Sequence, residues 1–206
     1  MMRFILTIAF MLPLLYTADT LQCYTCELGD KSCSVTTLQN CTGGMCSSLT
    51  KVNGPSDSIT VSKKCVYVPE SCYLMGQVNT LSVNNGYSKV SQSSFCCDTT
   101  GCNKDTLPAL SDKANQLRCY TRINGSREIL QCVGVEDHCF KYDAPASHGG
   151  KVVVYQGCAS SDSCSWSEKP PQINLNCCKG NLCNNALGLG LSSPSLLLGL
   201  LIISLF

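Results

Sequence analysis

Cys96-Cys97-Asp98-Thr99-Thr100-Gly101-Cys102-Asn103 returns later in the chain as Cys177-Cys178-Lys179-Gly180-Asn181-Leu182-Cys183-Asn184. Each copy has two adjacent cysteines, four intervening residues and a Cys-Asn close. The openings upstream agree as well: Leu21-Gln22-Cys23-Tyr24-Thr25 and Leu117-Arg118-Cys119-Tyr120-Thr121. A match at both ends marks one unit written twice. Residues 21–103 are the first unit, with ten cysteines, and residues 117–185 the second, with eight. Between them, residues 104–116 hold Pro108, mixed charge and no cysteine, the composition of a short linker that keeps two units close.

The 18 cysteines make up roughly one residue in nine of residues 21–185, a density that marks a disulfide scaffold. Such scaffolds need an oxidising compartment. The N-terminus fits that route: Arg3, an apolar run from Phe4 to Tyr16, then the small residues Thr17, Ala18 and Thr20. This is the pattern of a signal peptide over residues 1–20, and the run is too short to span a bilayer. Lys plus Arg total 15 against 14 Asp plus Glu, and no basic run exceeds Lys63-Lys64. Nucleic acid is therefore not an expected partner, because phosphate binding needs clustered cations.

Both units read as β-hairpins. Asn53-Gly54-Pro55 separates two alternating stretches, one of them Ile59–Ser62. Asn84-Asn85-Gly86 separates Val78–Val83 from Tyr87–Phe95, and Asn124-Gly125 turns a short hairpin. Asn-Gly supplies the positive φ angles that tight turns demand. Lys151–Tyr155 is a β-branched strand. No segment between Leu21 and Asn185 carries a helical apolar stripe, so the expected class is all-β and disulfide-rich. Units of this size bury little apolar surface, and bridges worth about 2–4 kcal/mol each explain the cysteines structurally.

The opening Leu-x-Cys-x-x-Cys at Leu21–Cys26 and the closing Cys-Cys-x4-Cys-Asn resemble the lymphocyte antigen-6 and urokinase receptor family. The resemblance covers both units and implies two tandem three-finger domains, the fold of snake neurotoxins. It also implies a pairing that spacing alone leaves open among many. Carried onto this chain, the pairs are Cys23–Cys46, Cys26–Cys33, Cys41–Cys65, Cys72–Cys96 and Cys97–Cys102 in the first unit. In the second they are Cys119–Cys139, Cys132–Cys158, Cys164–Cys177 and Cys178–Cys183. Here the second unit departs from the pattern: Arg122 stands where the first has Cys26, and the partner of that bridge is missing too.

Other chemistries were weighed against that reading. Cys23-x-x-Cys26 has redox spacing, but it belongs to the opening signature. A zinc site is set aside because bridges account for the even cysteine count in a secreted chain. His138 precedes a bridged cysteine, and His148 sits before Gly149-Gly150 at a loop tip. No Gly-x-Ser-x-Gly accompanies them; His148 is read as a solvated loop histidine, and neither is read as catalytic. No catalytic residue, cofactor or metal is expected. Trp166 and Tyr155 are read either as interface anchors or as fillers of a small core. Asn124-Gly125-Ser126 and Asn40-Cys41-Thr42 are N-glycosylation sequons, the second with a cysteine in its middle position.

The C-terminus completes the expectation. Small residues follow Cys183-Asn184, then Ser192–Ser195 and an apolar run, Leu196–Phe206. A small attachment residue, a spacer and a short apolar tail form the signal for a glycosylphosphatidylinositol anchor. Asn185 is the expected attachment residue, Gly188 its rival, and residues 186–206 the propeptide removed. The function implied is a receptor, co-receptor or adhesion module on the outer face of the plasma membrane, binding an extracellular or membrane protein. The contact elements implied are the second fingers, with tips at Asn53–Asp57 and Asp143–Gly150, and a groove between domains. The alternative is a soluble two-domain inhibitor like the gamma-type phospholipase inhibitors, which has no use for the tail.

Overall fold

The computed structural model describes residues 20–26, 31–54, 58–67, 72, 74–144, 153–167 and 175–185, with backbone alone for Trp166 and Ser167. The expected signal peptide, propeptide and Gly188 lie outside these residues. Eleven strands and one short helix follow in order: β1 Gln22–Cys26, β2 Thr36–Asn40, β3 Met45–Asn53, β4 Ser58–Val66, β5 Val78–Asn84, β6 Lys89–Cys97, β7 Ala114–Ile123, β8 Ser126–Val133, β9 His138–Ala144, β10 Val153–Ala159, α1 Ser161–Ser167 and β11 Asn176–Cys178. They form two two-stranded sheets, β1-β2 and β7-β8, and one seven-stranded sheet in the order β11-β9-β10-β5-β6-β3-β4. The class is all-β and disulfide-rich.

The turns follow from their residues. Ile123 pairs with Ser126, so β7 and β8 are joined by Asn124 and Gly125 alone, at φ 51° and 82°. Positive φ at both central positions defines a type I′ turn, whose twist matches that of the strands. The β5–β6 turn is longer than the sequence predicts. Asn84 pairs with Lys89, which leaves a four-residue loop, Asn85–Ser88. The Asn85 side-chain oxygen accepts from the N–H of Tyr87 at 3.1 Å and of Ser88 at 2.7 Å, which stabilises the wider turn.

Sulfur fills the interior. Nine disulfides join Cys23–Cys46, Cys26–Cys33, Cys41–Cys65, Cys72–Cys96, Cys97–Cys102, Cys119–Cys139, Cys132–Cys158, Cys164–Cys177 and Cys178–Cys183. No disulfide crosses from residues 21–103 to residues 117–185. One buried cluster is Cys23, Cys41, Cys46 and Cys97, with Leu21 and Phe95 against it. A second is Cys119, Cys132, Cys139 and Cys158, flanked by Leu117 and Leu130. Beside each cluster one asparagine ties the closing loop to the opening strand. Asn103 accepts from Tyr24 N–H at 2.9 Å and donates to the carbonyls of Tyr24 at 2.8 Å and Ser47 at 3.0 Å. Asn184 makes the same three bonds, from Tyr120 N–H and to Tyr120 and Phe140, each at 2.9 Å.

Two features differ from the expectation. The linker is not a free tether. Ser48, Thr50 and Ser93 project hydroxyls from one face of β3 and β6 and donate to the carbonyls of Asp105, Leu107 and Pro108 at 2.9, 2.7 and 3.0 Å. Lys63 adds a bond to Lys104. Residues 104–108 are thus strapped across the sheet, and Ala114–Gln116 already belong to β7. The second difference is α1. It carries no apolar stripe, so periodicity misses it. Its start is held by Ser160, whose hydroxyl accepts from Ser163 N–H at 3.3 Å, and by Asp162 in the first turn.

Because the second unit is built without a counterpart of Cys26–Cys33, that bridge is expected to be dispensable for folding. It closes a separation of only 7 residues, against 20 for Cys119–Cys139. Chain-entropy scaling puts the loss at about 2 kcal/mol for Cys26→Ala/Cys33→Ala and about 3 kcal/mol for Cys119→Ala/Cys139→Ala. Guanidinium unfolding of the two double variants checks the order, and a first variant that fails to fold contradicts it.

Candidate functional site

The two units meet edge to edge. Strand β10 pairs with β5 through Cys158↔Asn84 and Ala159↔Val83, which makes one sheet of strands from both. Gly157 permits the approach, since a Cβ there would lie 2.0 Å from the Asn84 carbonyl oxygen. Beyond Ala159 the ladder is continued by side chains. Ser160 N–H donates to the Ser82 carbonyl at 2.9 Å, and Ser82 N–H donates to the hydroxyls of Ser160 and Ser163, each at 3.0 Å. One carboxylate oxygen of Asp162 accepts from Thr80 N–H at 2.8 Å. An edge strand left bare would invite pairing with another chain; here α1 covers it.

Glu136 sits at the centre of this junction and is fully buried. Its carboxylate accepts from the Ser82 hydroxyl and Val133 N–H, both at 2.9 Å, and from the Asn84 amide at 3.5 Å. Burial pushes its pKa above the ordinary carboxylate value. The bonds from Val133, Ser82 and Asn84 and the positive charge of Lys89 pull the other way without cancelling it. Lys89 is itself ion-paired with Asp112 in the linker.

Where the units diverge, an open cleft of about 350 Å³ lies between the β5–β6 turn and β8, lined by Gly86, Tyr87, Lys89, Leu130 and Val133. Tyr87 is 80% exposed at its rim. This cleft lies beside the β5–β10 pairing, where the sequence leads one to expect a groove between the domains.

The expected site residues are dispersed. Asn53 ends β3 and Gly54 N–H donates to the Lys89 carbonyl at 2.9 Å, while Pro55–Asp57 lie outside the described residues. Asp143 pairs with Lys141 at 3.5 Å. Residues 145–150, His148 among them, lie outside. His138 starts β9, half-buried, with Nδ1 2.9 Å from Asp137. Tyr155 stacks on Tyr142 with ring centroids 6.1 Å apart and stays 40% exposed, on the sheet face opposite the linker. The Trp166 side chain lies outside the described residues. Asn124 is exposed in its turn, and Asn40 at the end of β2 accepts from Gln22 at 2.9 Å. Asn185 is exposed and accepts from Arg127 at 2.7 Å. The sulfurs of Cys119, Cys132 and Cys158 lie within 4.8 Å of one another, but each is in a disulfide and offers no thiolate to a metal.

Sequence reasoning missed the junction residues Ser82, Glu136, Ser160, Asp162 and Ser163. The one available signal was the polar run Ser160–Ser163 directly after a strand. The sequence matches no protein-family model and no curated protein. Among the described residues no helix is long and apolar enough to cross a membrane.

The sign of the Glu136 shift gives a test. A pKa raised in the folded state means that its stabilising contribution is complete below the ordinary carboxylate range and is lost as pH rises through the folded value. Glu136→Gln removes that titration. The stability of the variant relative to the parent is expected to rise with pH from about 4.5 upward and then level off. Denaturant midpoints across pH measure it; a difference that is flat or falls with pH contradicts the assignment.

Proposed function

We propose that this chain is a glycolipid-anchored cell-surface protein made of two three-finger domains of lymphocyte antigen-6 and urokinase receptor type, and that it binds a protein partner. The observation that carries the reading is the duplicated wiring of Asn103 and Asn184. In both units the asparagine of the Cys-Asn close fastens the last loop to the opening strand, beside a cluster of cystines. From each cluster hairpins extend: β1-β2, β3-β4 and β5-β6 in the first unit, and β7-β8 and β9-β10 in the second. These are the fingers. Pinned at one end, they offer a contact surface that loses little freedom on binding.

The junction adds to this support. Two units locked through β5 and β10 present their fingers in one fixed relation, which suits recognition of a single large partner. The face of the shared sheet opposite the linker carries Val90, Val153 and Tyr155, each at least 40% exposed. The anchor reading rests on the sequence from Asn185 onward. With lipid alone in the membrane, any signal passes through a membrane-spanning co-receptor or through adhesion.

Two measurements test the proposal. Phosphatidylinositol-specific phospholipase is expected to release the protein from intact cells; retention beside an active enzyme control overturns the anchor. Replacing Asn53–Asp57 and Asp143–Gly150 with glycine-serine loops is expected to abolish capture of the partner by a correctly displayed protein. Survival of binding moves recognition to the cleft at Tyr87 or to the open sheet face.

A further inference from the structure

Four arginines occur in the sequence, and apart from Arg3 they are Arg118, Arg122 and Arg127. All three lie on the β7–β8 hairpin. Residues two apart on a strand share a face, and register partners share it across strands. Arg118, Tyr120 and Arg122 therefore face the same way as their partners Gln131, Ile129 and Arg127. That face holds three cations and no carboxylate, for Glu128 pairs with Thr121 and faces the other side. The eleven lysines, by contrast, are spread along the whole chain.

The face is open and electrostatically unbalanced. All three arginines are exposed, and Ile129 is 57% exposed among them. Among the described residues none of the three sits in an ion pair. Arg122 and Arg127 stand directly opposite each other, an arrangement of like charges that destabilises a hairpin. Arg127 is instead laid over the Tyr120 ring, 3.4 Å from its centroid, and donates to Asn185. Arg122 reaches Gln156 at 3.4 Å. The geometry holds the Arg122 and Arg127 guanidinium groups in place without neutralising them.

We infer that this face rests on the phosphate layer of the bilayer, with Arg118, Arg122 and Arg127 binding lipid headgroups and Ile129 and Tyr120 seated at the interface. The inference deepens the anchor reading and rests on it. Guanidinium forks match phosphate oxygens in geometry as well as charge, which ammonium groups do not. An aromatic ring and an aliphatic side chain amid cations are the composition of a surface that lies at a membrane interface. The position is set by the chain itself: Asn185, the expected lipid-bearing residue, is hydrogen-bonded to Arg127 of the same face. A chain tethered there brings this hairpin to the headgroups first. The sequon at Asn124 is in the turn, beyond the last strand pair.

The test is arginine footprinting. The full protein, purified from cells, is reconstituted in vesicles of phosphatidylcholine alone, and phenylglyoxal modification of Arg118, Arg122 and Arg127 is followed by peptide mapping. The same protein in detergent is the reference, and iodination of the exposed Tyr87 is the control for general access. Modification on vesicles is expected to slow at all three arginines while Tyr87 is unchanged. Equal rates in the two settings overturn the inference. Protection on intact cells that is absent on vesicles also overturns it, and assigns the face to a sulfated polysaccharide or a protein. Phospholipase release scores the anchor separately. Protection without release sinks the anchor and keeps the face, whereas release without protection sinks the face alone.

Discussion

The cystine clusters are the constraint on which the rest depends. Outside cysteine, the buried apolar side chains of the described residues are few: Val52, Val66, Phe140 and Ala159. Apolar burial at about 25 cal/mol per Å² cannot order so many residues from so small a set. The bridges act on the other side of the balance by restricting the unfolded chain. Once two clusters of cystine fix the bases of the hairpins, the strands beyond them are free to be polar. Ser47, Ser48, Thr50, Ser82, Ser91 and Ser93 are all buried in the central sheet, where a conventional core would have valine and isoleucine. Buried hydroxyls need partners, and those of Ser48, Thr50 and Ser93 find them in linker carbonyls, that of Ser82 in Glu136. The strap and the junction both follow from a core that is sulfur first and hydroxyl second.

That chemistry also explains how the two units hold together. Apolar interfaces between domains tolerate sliding, because burial has no direction. Here the contact is a two-residue strand pairing extended by Ser160, Asp162 and Ser163, with Gly157 allowing backbone to meet backbone. Hydrogen bonds of this kind specify register, and an unpaired donor or acceptor left behind at such a depth costs about 1–3 kcal/mol. The junction is therefore either made in one register or not made.

What could be read from the sequence was what is local. Asn124-Gly125 declares its turn because few other residues accept positive φ twice in succession, and the doubled Cys-Cys-x4-Cys-Asn declares a repeat. The β5–β6 turn is wider than Asn84-Asn85-Gly86 suggests because the Asn85 side chain, not Gly86 alone, sets it. The pairing of cysteines came from a resemblance and not from spacing. The junction was hidden because its members are remote: Ser82 meets Glu136 and Ser163 across 54 and 81 residues. In sequence Glu136 reads as a surface acid beside Asp137, and only the fold buries it. The arginine face was hidden for a related reason. No basic run exists along the chain, and register across β7 and β8 is what brings Arg122 opposite Arg127.

Joining the two halves of the structure has a consequence for how a tethered molecule presents itself. A lipid at Asn185 alone would let the body swivel, and a partner would meet its surfaces in every orientation. A hairpin that touches the headgroups beside that lipid adds a second point of support and removes most of the swivel. The β5–β10 junction then carries the orientation from the second unit into the first, since no free linker intervenes. On the proposed anchor, the ends of β3-β4 and β5-β6 would acquire a fixed attitude to the membrane. A partner that meets them pays less to be oriented, which raises the effective concentration of the productive encounter without any new contact. In this arrangement the buried carboxylate of Glu136 and the exposed arginines do related jobs. One fixes unit to unit, and the other, on the proposed anchor, would fix the pair to its surface.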